Sequence, residues 1–195
     1  MNTAGVQKMS MPSTRVVTGP VRLSYANVWT PRSYNGGAPK YSVSLIIPKT
    51  EEETLRRIQD AIRAAYEEGI HKLRGSNRTP PPLSALKTPL RDGDMERPDD
   101  DAYKNAYFLN ANSSRAPQIV NVRREVITNE DEVYSGVFAR VSLNFYVFSV
   151  NGNRGIAAGL NNIQKLRDGE RLGGGASASQ DFADEVSEEF LIPWD

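Results

Sequence analysis

Cysteine is absent from this 195-residue chain, and histidine occurs once, at His71. These two shortages exclude disulfide scaffolds, thiol nucleophiles, iron–sulfur clusters and Cys/His zinc sites. Any Ser-His-Asp arrangement would have to run through His71, which sits at the end of a helical pattern where a solvated position is expected. No run of about 18 apolar residues exists, so no membrane span is expected. The first fifteen residues lack an apolar stretch of signal-peptide length, and an intracellular protein is expected. No Gly-Lys-Ser/Thr and no Gly-x-Gly-x-x-Gly occurs, so the glycines of 151–159 read as turns rather than as a phosphate cradle. No cofactor is expected. Carboxylate-bound metal is the remaining route to catalysis.

Net charge is lacking too, with 24 basic and 24 acidic side chains. That neutrality hides a split. The last fifteen residues hold Asp181, Asp184, Glu185, Glu188, Glu189 and Asp195, no Lys or Arg, and an apolar end with Phe190, Leu191, Ile192 and Trp194. Without these six carboxylates, residues 1–180 carry 24 basic against 18 acidic groups, a net charge of +6. A basic body meets polyanions; an acidic tail with an aromatic tip meets something else. The Gly/Ser/Ala-rich stretch 173–180 joins the two. The 23 residues from Gly173 onward, as a flexible coil, span roughly 25–30 Å root-mean-square. Three regions are expected: a flexible lead-in over 1–14, an ordered domain over 15–172, and a linker with a disordered acidic tail over 173–195.

Strand patterns occur at 15–18, 21–25, 41–47, 106–111, 118–123, 133–138 and 140–150, with a further segment at 156–159. Tyr41, Val43, Leu45 and Ile47 share one face, opposite Ser42 and Ser44. In 140–150, Val141, Leu143, Phe145 and Val147 face one way, and Ser142, Asn144, Tyr146 and Phe148 the other. One helix is expected over about 50–69, capped by Thr50 with Glu53 reaching back, and stopped at Gly69. Leu55, Ile58, Ile62 and Tyr66 form its apolar stripe. Residues 70–105, with three successive prolines at 80–82, read as an irregular loop. A mostly β protein with one inserted helix fits a Greek-key barrel of the oligonucleotide-binding (OB) type; periodicity does not separate this from a sandwich or an open α+β sheet.

Aromatic rings interleaved with cations are the strongest chemical pattern. Single strands offer phosphates to Lys and Arg and base faces to aromatic rings. Arg22, Tyr25, Trp29, Arg32, Tyr34, Lys40 and Tyr41 lie within twenty residues, and further groups follow around 103–115 and 134–148. Trp29, Tyr34, Tyr107, Tyr146 and Phe148 are the stacking candidates. Arg22, Arg32, Lys40, Arg115, Arg140, Arg154, Lys165 and Arg167 are the backbone candidates. The acidic run of Asp92, Asp94, Glu96, Asp99, Asp100 and Asp101 superficially matches a calcium loop. Its sixth position is Arg97 rather than Gly, and its twelfth is Tyr103 rather than Glu. A solvated, ion-paired loop is expected there and no metal site. A metal-dependent nuclease using these carboxylates is the alternative function, and a protein-binding virion or scaffold protein a third.

Several strings taken in order are specific: Lys40 to Lys49 (KYSVSLIIPK), Pro89 to Asp94 (PLRDGD), Glu96 to Asp99 (ERPD), Asn110 to Ser113 (NANS), Tyr134 to Arg140 (YSGVFAR) and Gly159 to Glu170 (GLNNIQKLRDGE). With the acidic end, they resemble the single-stranded DNA-binding protein family of tailed bacteriophages over about 15–172. The resemblance implies an OB-fold core, sequence-tolerant binding of single strands and a role in phage replication, recombination or repair within the infected bacterial cytoplasm. The acidic tail is then expected to compete with DNA and to recruit replication or recombination proteins.

Overall fold

The computed structural model describes residues 13–33, 36–74 and 79–173. The ordered elements are β1 (Arg15–Val17), β2 (Val21–Arg32), β3 (Lys40–Pro48), α1 (Glu52–Leu73), β4 (Arg91–Asp92), α2 (Gly93–Glu96), β5 (Ala106–Ser113), β6 (Gln118–Val120), β7 (Phe138–Val150) and β8 (Asn153–Arg167). Five of these strands close on themselves: β2 pairs β3, β3 pairs β5, β5 pairs β8, β8 pairs β7, and β7 returns to β2. The β5–β8 pair is parallel and the other four are antiparallel. Counted along the chain, the ring runs first-second-third-fifth-fourth, the OB order. Closure removes the free edges that an open sheet exposes. Strand β1 adds to β7, β6 to β8, and β4 fills the place beside the start of β5.

Alternation explains the interior. Leu23, Val43, Leu45, Ile47, Leu109, Ala111, Val141, Leu143, Phe145, Ile156, Ala158 and Leu160 are all buried in one apolar cluster. Helix α1 adds Leu55, Ile58, Ala61, Ile62 and Ala65 to that cluster and packs chiefly against β7. Both expected faces of the 140–150 strand are found: Val141, Leu143, Phe145 and Val147 are buried, whereas Tyr146 is 41% exposed.

Several expected boundaries move. The helix cap is Glu51, which offers no side-chain cap bond; Glu53 instead pairs with Arg56 and Arg57, which drains it from the capping box expected with Thr50. Gly69 does not end α1, which runs on to Leu73. It is where the helix meets β7, since a Cβ there would collide with Val147. The expected strand 133–138 is a turn up to Phe138, because Gly136 (φ 124°) lies against the Glu170 carbonyl in a conformation closed to other residues. The short segment expected at 156–159 is instead the fifteen-residue strand β8. The 70–105 region begins with the last turn of α1 and holds β4, α2 and two 3₁₀ turns.

Candidate nucleic-acid interface

The outward faces of β3 and β5 divide into a covered half and a bare half. In the covered half, outward Ile46 and Phe108 lie with Tyr103 and Ala106 in a second buried cluster. The segment 91–105 folds over them as a lid. Tyr103 meets Phe108 edge to face at 5.1 Å, and its hydroxyl lies 3.4 Å from Ser44 Oγ. The lid is fastened by its carboxylates. Lys49 Nζ lies 2.9 Å from Asp92 and 2.7 Å from Asp94, Asp94 also accepts from the Asn105 N–H, and Arg91 pairs with Glu96. Asp92 and Asp100 cap the short helical turns that follow them. Hydrogen bonding to Asp94 and then Asp92 holds the Lys49 ammonium well above its ordinary pKa. The Lys49 partner, then the Asn105 N–H, hold the Asp94 carboxyl below its usual range, and Arg91 does the same for Glu96. Among the described residues, no group of three or more His, Asp or Glu side chains is arranged to hold a metal ion.

Arg97 stands at the boundary. Its guanidinium carbon is 4.9 Å from the Tyr103 ring centre, 5.3 Å from Phe108 and 5.3 Å from Tyr25. It also donates to the Tyr25 hydroxyl at 3.3 Å. Tyr25 reaches this place because β2 bulges: Ser24 opposes Ser44 and Asn27 opposes Ser42, which leaves one extra residue on β2, and Tyr25 takes φ 45°. The bulge turns the ring outward, 57% exposed, while Arg97 holds it by a cation–π contact.

Two hollows share Tyr25 in their lining. One, of about 340 Å³, is lined by Tyr25, Arg97 and Lys40 with Ser42, Asn110 and Asn112 from the bare half of β3 and β5. The other, of about 400 Å³, is lined by Tyr25, Asn27, Arg32 and Asp100 and is bounded by Leu172 and Gly173. An exposed ring held by a cation and shared by two hollows that cations help to line can stack bases and meet phosphates.

The expected residues fall into distinct places. Lys40 and Arg32 each line one of these hollows. Arg115 is exposed just past the end of β5. Tyr146 and Phe148 lie on the outward face of β7, Phe148 half-buried with its ring edge against Gly155. Arg140 is exposed on that face and donates to the Thr18 carbonyl. Other candidates are engaged in holding the fold. Trp29 packs on the core and donates to the Val133 carbonyl at 2.9 Å. Tyr107 packs on the core and lines a hollow with α1. Arg22 donates to the carbonyls of Gly136 and Glu170. Arg154 donates to the Leu73 carbonyl at the end of α1. Lys165 pairs with Asp168 at 2.8 Å, and Arg167 lies 3.5 Å from the centre of the Phe138 ring. Tyr34 and the tail residues from Asp181 to Asp195 lie outside the described residues.

Sequence reasoning passed over Arg97 and left Tyr25 out of its stacking set. Arg97 sits in an acidic run and reads as a local counter-ion. Tyr25 falls on a bulge that no alternation rule places. The outward Asn110 and Asn112, alternating with Leu109 and Ala111, were the available signal for the bare half.

Known proteins resemble the chain. Residues 14–191 match the family described as the ssDNA-binding protein of Enterobacter phage Enc34. The chain belongs to that family. Protein p50 of Acyrthosiphon pisum secondary endosymbiont phage 1 is 29% identical over 174 residues, which cover 86% of this chain and 91% of p50. The single-stranded DNA-binding protein of bacteriophage Enc34, solved in complex with ssDNA, superposes with a TM-score of 0.69 at 23% identity, covering 82% of this chain and 90% of that one. The single-stranded DNA-binding protein gp2.5 of bacteriophage T7 gives a TM-score of 0.59 at 16% identity, covering 92% and 98%. These two likenesses establish the shared fold.

Proposed function

We propose that this chain is a non-enzymatic single-stranded DNA-binding protein, acting in phage DNA replication, recombination and repair in the host cytoplasm. One observation carries the reading: Tyr25, backed by Arg97, stands exposed where two hollows lined in part by Lys40 and Arg32 share it, on the outer face of an OB barrel. Family membership over residues 14–191 supports it. Bases stack on Tyr25, and Lys40, Arg32 and Arg115 meet the phosphates. Because every base has a π face, such binding tolerates sequence. The nuclease alternative finds less support, since Asp92, Asp94, Glu96 and Asp100 are already engaged in ion pairs and caps.

Titration with oligo(dT) tests the reading. Tyr25→Ala should weaken binding by about 1–3 kcal/mol, the range for one base–aromatic stack. An unchanged affinity in the folded variant would reject Tyr25 as a stacking platform.

The acidic tail is proposed to compete with DNA for this face and to recruit replication or recombination partners through Phe190 and Trp194. The geometry of its root supports competition. Residues 168–173 are strapped to the barrel: Tyr134 donates to the Gly169 carbonyl, Arg22 to that of Glu170, and the Leu172 N–H to that of Ser135. Gly173 lies on the wall of the hollow that holds Tyr25 and Arg32. Deleting 181–195 should tighten oligo(dT) binding at low salt, where six carboxylates compete most strongly; equal affinity with and without the tail at low salt would reject competition.

A further inference from the structure

We infer that the bound strand continues past the Tyr25 hollows, winding round the barrel along a lane of small uncharged polar positions that ends at Tyr146 on β7. The inference rests on the single-strand-binding reading and names the path that reading leaves open.

Pairing registers lay out the lane. Asn27 of β2 opposes Ser42 of β3, Ser42 opposes Asn112 of β5, Asn112 opposes Gly159 of β8, and Gly159 opposes Asn144 of β7. Each is flanked by buried core residues such as Val28, Val43, Ala111, Ala158 and Phe145, so all five share the outward face. Four strand spacings make roughly 19 Å of path. Exposed rings mark its two ends, Tyr25 at 57% and Tyr146 at 41%. Beyond Asn144 the row reaches Arg15 on β1, an exposed cation suited to a phosphate.

No charged side chain occupies the five positions themselves. Some of their groups are bonded within the protein, Asn27 Nδ2 to Ser42 Oγ and Thr14 Oγ1 to Asn144 Oδ1; because amides and hydroxyls both donate and accept, such positions meet varied base edges without fixing a sequence. Gly159 is the telling position. Its φ is not in the left-handed region, and a Cβ there would lie 3.3 Å from the Asn144 carbonyl and 3.6 Å from the Tyr146 ring. The backbone therefore does not demand glycine strongly, and glycine within a strand costs stability while allowing a ligand to approach closely. A larger side chain at this point would stand between the lane and the Tyr146 ring.

A double-mutant cycle read by oligo(dT) titration tests the lane, with an oligonucleotide of about 16 residues to cover the whole OB surface and a thermal melt to confirm folding. Gly159→Leu and Tyr146→Ala should each weaken binding roughly tenfold, one lost stack in size. The double variant should be no weaker than Gly159→Leu alone, because the leucine already denies access to the ring. Tyr25→Ala should add its own loss to either. Affinity within twofold of wild type for folded Gly159→Leu, or for Tyr146→Ala, would overturn the lane while leaving the Tyr25 site standing. Should leucine unfold the barrel, Tyr146→Ala alone decides, since its exposed ring is not part of the core. If the wild-type chain binds no oligo(dT) at all, the single-strand reading itself fails and the lane with it.

Discussion

The two halves of the outer β3–β5 face belong to the same pair of strands and meet opposite fates. One half presents Ile46 and Phe108 and is roofed by Tyr103; the other presents Ser42, Asn110 and Asn112 and is left bare. Side-chain type decides which. Apolar outward residues drive the 91–105 segment to fold over them, because burial of such surface is the main favourable term in folding. Ser and Asn offer no such gain, and no segment folds over Ser42, Asn110 and Asn112 among the described residues. Arg97 belongs to both halves: it covers Phe108 and Tyr103 and holds Tyr25 at the edge of the open one. The covered half is thus the support that positions Tyr25 beside the bare half.

The largest effect should come from breaking the covered half. Phe108→Ala removes a fully buried ring together with its contacts to Tyr103, Arg91 and Arg97, and should lower stability by about 3–5 kcal/mol in denaturant unfolding. A loss below about 1 kcal/mol would mean that the lid does not depend on this ring. On the bare half, Lys40→Gln should leave the melting temperature unchanged. It should reduce the slope of log affinity against log salt by about 0.7, one phosphate contact to a single strand; an unaltered slope would remove Lys40 from the interface.

The smallest effect separates the halves by pH. The carboxyls of Asp94 and Glu96 are held below their usual values by Lys49 and Arg91 respectively. Their contribution is therefore present above the ordinary carboxylate range of about 4 and is lost as pH falls through the lowered folded-state values. Amide exchange in 91–105 should quicken on acidification in that window, ahead of exchange in the strands of the barrel. Protection that falls equally in both would contradict a lid fastened by these ion pairs.

Much of the barrel is legible in the chain because burial on one side imposes a period of two. The alternation of 41–47 and 140–150 gave the right faces, and the apolar stripe of 55–66 gave α1. Charge separation and the order of the phage-type strings pointed to the family. What escaped depended on partners distant in sequence. Gly136 breaks a strand where Glu170 lies against it, and Gly69 sits inside α1 where Val147 leaves no room for a Cβ. The carbonyl partners of Trp29 and Arg22, Val133 and Glu170, likewise lie more than a hundred residues further along the chain.

By itself, then, the sequence determined a basic β body with a polar outer face and an acidic end, since composition and local periodicity are properties of the chain alone. Only the tertiary structure decided that Tyr25 stands in the open. That choice rests on a bulge at Tyr25, a cation from a loop more than seventy residues away, and strand registers that bring Asn27, Ser42, Asn112, Gly159 and Asn144 into one row. Those relations exist only once the ring of strands has closed.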